Sequence, residues 1–165
     1  MNRAPIPWVI LSLAVLTTDR LTKSLVERLT PSGWQRTIIP GFFNLVHTRN
    51  PGIAFGLLAD SHMPGIRLAL VGLSLVAAGV MAWLLLAGRA GGARSRIGIA
   101  LILGGAAGNL FDRLLDGGVV DFLLFYVRGY EWPAFNVADS AIVVGACLLV
   151  LEILFQKPAR QENAA

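Results

Sequence analysis

Four stretches of this chain are long and apolar enough to cross a bilayer as helices, and no other feature restricts its fold as strongly. A spanning helix needs about 20 residues, because hydrocarbon offers an exposed backbone amide no partner. The stretches run from about Ile6 to Leu29, Ile66 to Ala87, Ile97 to Leu115 and Asn136 to Phe155. The third carries the run Gly104-Gly105-Ala106-Ala107-Gly108, which lets helices approach closely. Only 15% of the 165 residues are charged and 55% are hydrophobic, which argues against a soluble globule and against disorder. The expectation is one integral membrane domain, residues 1–165, of four transmembrane helices. The first stretch resembles a secretion signal up to Leu16, but Thr17-Thr18-Asp19-Arg20 is no small-residue cleavage site, so it reads as a retained helix.

Basic residues predict the orientation. Arg89, Arg94 and Arg96 lie between the second and third stretches, Arg3 precedes the first, and Lys157 and Arg160 follow the fourth. Positive loops stay cytoplasmic, so both termini are expected inside, with segments 30–65 and 116–133 outside. Those outer segments carry β-prone runs: Thr37 to Ile39, Phe42 to His47, Ile53 to Leu57 and Val119 to Val127. Pro40-Gly41, Asn50-Pro51-Gly52 and Arg128-Gly129 mark turns, the last opening a possible hairpin with Tyr130 to Trp132. A small sheet on the outer membrane face follows, with Trp34, Tyr126, Tyr130 and Trp132 at the interface. The 14 basic residues are scattered and form no nucleic-acid stripe.

Ionisable residues inside spans are functional candidates by default. At about 1.5 Å of rise per residue, Asp112 lies roughly 22 Å from the cytoplasmic end of its span, Asp139 roughly 24 Å and Asp19 roughly 20 Å. Three carboxylates therefore reach one depth, and Asp121 arrives on the outer connection. Asp19–Lys23 and Asp112–Arg113 read either as ion pairs that hold helices together or as parts of a site. Asp121 stands in Val119-Val120-Asp121-Phe122, an apolar setting, and Asp139 in the first turn of its helix. They read as a catalytic pair with divided acid and base roles, or as a strand-end turn and a helix cap. Other chemistries lack their motifs: there is no His-Glu-x-x-His, no Gly-x-Ser-x-Gly and no phosphate-binding glycine loop. His47 and His62 show no metal spacing, and Cys147, the single cysteine, excludes an intrachain disulfide.

Five motifs in order resemble the bacterial lipoprotein signal peptidase (signal peptidase II) family. They are Asp19-Arg20-Leu21-Thr22-Lys23, Asn50-Pro51-Gly52-Ile53-Ala54-Phe55, Gly104 through Arg113, Val119-Val120-Asp121-Phe122, and Pro133-Ala134-Phe135-Asn136-Val137-Ala138-Asp139-Ser140. The resemblance implies an aspartic endopeptidase that needs no metal or other cofactor. It would cut diacylglyceryl-modified prolipoproteins just before the lipidated cysteine, in the bacterial inner membrane. It assigns the catalytic dyad to Asp121 and Asp139. It implies supporting roles for Asp19, Lys23, Asn50, Gly52, Asn109, Asp112, Arg113 and Asn136. Membrane lipid as a partner and peptide antibiotics of the globomycin type as inhibitors are implied in the same way. Arg20 stands where many members have Gln, and Pro51 sits inside the Asn-x-Gly turn.

Overall fold

The structure is a computed structural model and describes residues 5–51 and 65–155. Gly52, the run Ile53 to Leu57, His62 and the basic residues of both termini lie outside the described residues. Within them the chain runs α1 (Ile6–Leu29), β1 (Gln35–Ile39), β2 (Phe43–Asn50), α2 (Ile66–Leu86), α3 (Ala93–Leu115), β3 (Val119–Val127), β4 (Tyr130–Glu131) and α4 (Val137–Phe155).

Each of the four long helices falls on one of the apolar stretches. Two of them, α3 and α4, are apolar and long enough throughout to cross a membrane. In α1 the outer half is mixed, with Asp19, Arg20, Lys23, Glu27 and Arg28. The third helix starts four residues earlier than expected. Gly88 and Gly91 take up the reversal after α2 with φ of 70° and 73°, and Arg96 already donates its N–H to the Gly92 carbonyl.

Helix α3 packs against the other three, and glycine makes this possible. A Cβ at Gly104 would come under 3.0 Å from the Ser12 carbonyl of α1, and one at Gly105 equally near the Ala138 carbonyl of α4. Farther in, Gly98 and Gly145 face each other's backbone in the same way. The small-residue run is thus the seam of the bundle. Below it, toward the α2–α3 turn, Leu85, Ala90, Ile99 and Ala100 form an apolar cluster flanked by Trp8, Leu11, Met81 and Leu149.

At the other end the two outer segments build one antiparallel sheet in the order β1-β2-β3-β4. Gly41, at φ 77°, turns β1 into β2. Arg128 and Gly129 both have positive φ, 51° and 86°, as a two-residue hairpin turn of the primed type requires. The pairing of β2 with β3 runs from Phe43↔Phe125 to Asn50↔Val119. One extra β2 residue between Leu45 and Thr48 shifts the register, so that Thr48 meets Asp121. Past the hairpin the chain returns to β3: Leu123 and Phe135 exchange backbone hydrogen bonds of 2.9 and 3.0 Å. Rings of Phe43, Phe125 and Phe135 stack along this side, with centroids 4.9 and 5.8 Å apart.

Candidate active site

The Leu123–Phe135 bridge sets the geometry of everything around Asp121. It places Asn136 beside β3 one residue before α4 begins. The Asn136 Nδ2 group donates to Asp121 Oδ1 at 2.7 Å and to the Val120 carbonyl at 3.3 Å. Its Oδ1 accepts the backbone N–H of Asp139 at 3.0 Å, and Asp139 Oδ2 accepts the backbone N–H of Asn136 at 3.3 Å. This is a reciprocal cap of the helix start, three residues apart. One asparagine therefore joins the two acids that lie 18 positions apart in the chain. The cap expected as the plain alternative for Asp139 is present, and it ties that carboxylate to the backbone of the residue whose side chain holds Asp121.

The sheet fixes Asp121 from its other edge. Asn50, at the end of β2, reaches Asp121 Oδ2 with its Nδ2 at 3.2 Å. Asp121 is 2% exposed. Burial, and then the charge of Asp139, push its carboxyl up to about 7, against the pull of hydrogen bonds from Asn50 and Asn136. Such a group changes charge near neutrality, whereas an ordinary aspartate has done so far below it.

Beneath Asp121 and Asp139 lies a layer of buried charge. Lys23 is fully buried, and its Nζ lies 2.7 Å from Asp19 Oδ2, 2.7 Å from Asp112 Oδ2 and 3.0 Å from Asn109 Oδ1. Asn109 then donates from Nδ2 to Asp139 Oδ1 at 2.8 Å. Asp19, fully buried as well, accepts the Ala138 N–H at 2.9 Å and so ties α1 to the first turn of α4. Gly108 leaves the room that the Asp19 carboxylate occupies.

All three carboxylates expected at one depth, Asp19, Asp112 and Asp139, thus share one hydrogen-bonded cluster with Asp121. Asp19–Lys23 is an ion pair, as its spacing suggested. The suggested Asp112–Arg113 pair needs correcting: Asp112 is paired across helices with Arg20 and Lys23. Adjacent helix residues point in different directions, so Asp112 faces α1. Arg113 Nη1 instead meets the Asn109 carbonyl at 3.3 Å. Arg20 is the charged partner of Asp112 that spacing along the chain did not point to. Its guanidinium pairs with Asp112 and lies 4.2 Å from the centre of the Phe111 ring. A signal existed: an acid that cannot use its immediate neighbour needs a cation from a second helix.

Two grooves open beside these acids. One, of about 180 Å³, is lined by Thr48 to Pro51, Asp121, Pro133 and Ala134. The other, about 250 Å³ and almost wholly apolar, is lined by Trp132, Phe135, Asp139, Ser140, Val143 and Val144. Each acid borders one of them. The charge of Asp139 is one cause that raises the Asp121 carboxyl. Where one of two neighbouring carboxyls holds a proton, one can take a proton from water while the other donates to a carbonyl. Among the described residues no group of three or more His, Cys, Asp or Glu side chains is arranged to hold a metal ion.

Known proteins match the chain over most of its length. The family described as Signal peptidase (SPase) II matches residues 11–155. The lipoprotein signal peptidase of Solibacter usitatus is 47% identical over 150 residues, 89% of this chain and 88% of that protein. The one from a Sulfurihydrogenibium species is 40% identical over 164 residues, 99% of this chain and 100% of its relative. A solved structure described as a bacterial membrane enzyme, determined by the in meso method at 2.3 Å resolution, superposes with a TM-score of 0.81 at 26% identity. It covers 96% of this chain and 94% of its own.

Proposed function

The chain belongs to the signal peptidase II family of aspartic-type peptidases, and from that membership we propose that Asp121 and Asp139 are the dyad with which it cleaves prolipoproteins. The substrate is a diacylglyceryl-modified prolipoprotein, cut just N-terminal to its lipidated cysteine. The observation that supports this reading is Asn136, whose side chain bonds the Asp121 carboxylate and the Asp139 backbone N–H while its own backbone N–H bonds the Asp139 carboxylate, with a groove beside each acid. Water attacks the scissile carbonyl while one acid accepts its proton and the other bonds the carbonyl oxygen. The proton then passes to the departing amine. Asn50, Asn109 and Asn136 orient the acids, and Asp19, Lys23, Asp112 and Arg113 hold the helices that carry them. Gly52 would complete the turn after Asn50 that faces an extended substrate.

In this reading the four helices cross the bacterial inner membrane with both termini cytoplasmic and the dyad near the outer face. The apolar groove beside Asp139 suits an acyl-bearing substrate arriving from lipid, and globomycin-type peptides would compete for the same place. The test is cleavage of a lipid-modified prolipoprotein by the purified protein in detergent. Loss of cleavage in both Asp121→Asn and Asp139→Asn is expected, and substantial turnover by either variant overturns the dyad. A reporter fused after Gly92 should behave as cytoplasmic; the reverse would place the site on the wrong side for this substrate.

A further inference from the structure

We infer that the end of the α3–α4 pair beside the α2–α3 turn binds one anionic phospholipid. Arg94 holds its phosphate, and Leu148, Leu151 and Phe155 take its apolar part. The inference does not depend on which reaction the buried acids perform.

The site follows from the way the two helices part. α3 and α4 touch through Gly98 and Gly145, each facing the other's backbone carbonyl, and Leu148 packs beside Gly98 there. Arg94 stands one turn before Gly98, in the first turn of α3. Helical side chains tilt toward the N-terminus, so Arg94 extends away from the seam, along the part of α4 that runs on to Phe155. Residues three and four apart share a helix face, so Leu148, Leu151 and Phe155 form one apolar strip, roughly 10 Å long. With Arg94 they line a groove of about 560 Å³, wider than the groove at Asp121 or the one at Asp139.

Charge decides what the groove takes. Of the three arginines at this turn, two are engaged. Arg89 lies 5.1 Å from the centre of the Trp83 ring. Arg96 donates its Nε–H to the Gly91 carbonyl at 3.0 Å. Arg94 is exposed and has no side-chain partner among the described residues. Glu152 is the one acid at this end among the described residues, and it turns elsewhere. Its carboxylate lies against Gly92 and borders a separate groove with Arg89, Leu149 and Ile153.

A cation at the edge of an apolar groove, with no acid on the same side, matches an anionic head on an apolar body. Other occupants match worse. The chain after Phe155 carries Lys157 and Arg160 against Glu162, which adds positive charge to positive charge. A signal peptide, basic at its start, meets the same repulsion. A lipid seated here ties together the ends of the two helices that carry Asn109 and Asp139.

The test is lipid binding by the purified full chain in dodecyl maltoside. Native mass spectrometry counts retained lipids, and thermal unfolding reads their effect. The probes are phosphatidylglycerol and phosphatidylcholine with the same acyl chains. One phosphatidylglycerol should be retained, raising Tm by about 4 °C at ten times Kd. Phosphatidylcholine should bind about fivefold more weakly, and Arg94→Gln should lower phosphatidylglycerol affinity about fivefold and erase the preference. Leu151→Trp, which fills the groove, should weaken both lipids alike. Arg94 and Leu151 are both exposed, so neither change empties the core. Arg89→Gln removes the same charge from the same turn and should alter affinity less than twofold. Equal affinity of the wild type for the two lipids overturns the inference. So does a loss in Arg89→Gln as large as that in Arg94→Gln, because attraction would then be diffuse. Unchanged binding in Leu151→Trp overturns the groove as the place. Cleavage is not read, so any of these failures leaves the protease reading standing.

Discussion

The two halves of this helix bundle are held together by opposite means. Toward the α2–α3 turn, Leu85, Ala90, Ile99 and Ala100 pack as an apolar cluster whose contacts tolerate small shifts. Toward the sheet, the most deeply buried side chains include Lys23, Asn136, Asp19 and Asp112. Meanwhile large apolar residues such as Leu68, Ile153 and Leu154 point outward, each more than two-thirds exposed. In a membrane that outward face costs nothing, so helix association rests on close packing and polar bonds rather than on apolar burial. The polar half is directional: each of its groups has a required partner at a required angle. Catalytic geometry can be specified there, and the apolar half could not specify it.

The contrast can be broken most sharply at the dyad. Asp121→Asn and Asp139→Asn should each lower prolipoprotein cleavage about a thousandfold or more, with the double variant little worse, because the two act as a unit. Unfolding temperatures near that of the wild type would separate this loss from misfolding. Next in size is Lys23→Met, which strips Asp19 of its cation and leaves Asp112 with Arg20 alone. Uncompensated buried charges of this kind cost about 3–5 kcal/mol, to be read from thermal or denaturant unfolding in detergent. Ile99→Ala probes the other half. It should cost about 2–4 kcal/mol as a cavity, while the remaining folded protein cleaves at the wild-type rate. A fall in specific activity equal to that of Lys23→Met would erase the distinction between the halves.

The smallest expected effect is on pH. Asp121 has its carboxyl raised in the folded state to about 7 from 3.8. Between those values the folded protein holds a proton that the unfolded chain has released, so stability falls as pH rises through the window and levels off above about 7. Asp121→Asn should remove that slope and gain on the order of 2 kcal/mol relative to wild type between pH 5 and pH 8. Equal slopes in wild type and variant would show that Asp121 is not held protonated.

The helices and strands could be read from the sequence because each rests on local pattern. Apolar length marked the helices, and Pro40-Gly41 and Arg128-Gly129 marked the turns that the sheet uses. The convergence of Asp19, Asp112 and Asp139 followed from helical rise alone. What could not be read was direction. Nothing local says that Asp112 turns to Arg20 and Lys23 rather than to Arg113, since that depends on which face α3 gives to α1. Nor does any pattern announce the extra β2 residue that brings Thr48 opposite Asp121, or the Leu123–Phe135 bridge that sets Asn136 between the two acids.

The bond from Ala138 to Asp19 closes over 119 positions, and Asp139 sits on α4. Consider the chain as it is made, emerging from its N-terminus. Lys23 is made long before Asp112 and Asn109 exist to meet it, with only Asp19 for company. Asp121 follows without Asn136. Until α4 is in place Asp121 has neither Asn136 nor Asp139 beside it, so the cluster on which the proposed cleavage depends exists only once the fourth helix has joined the other three.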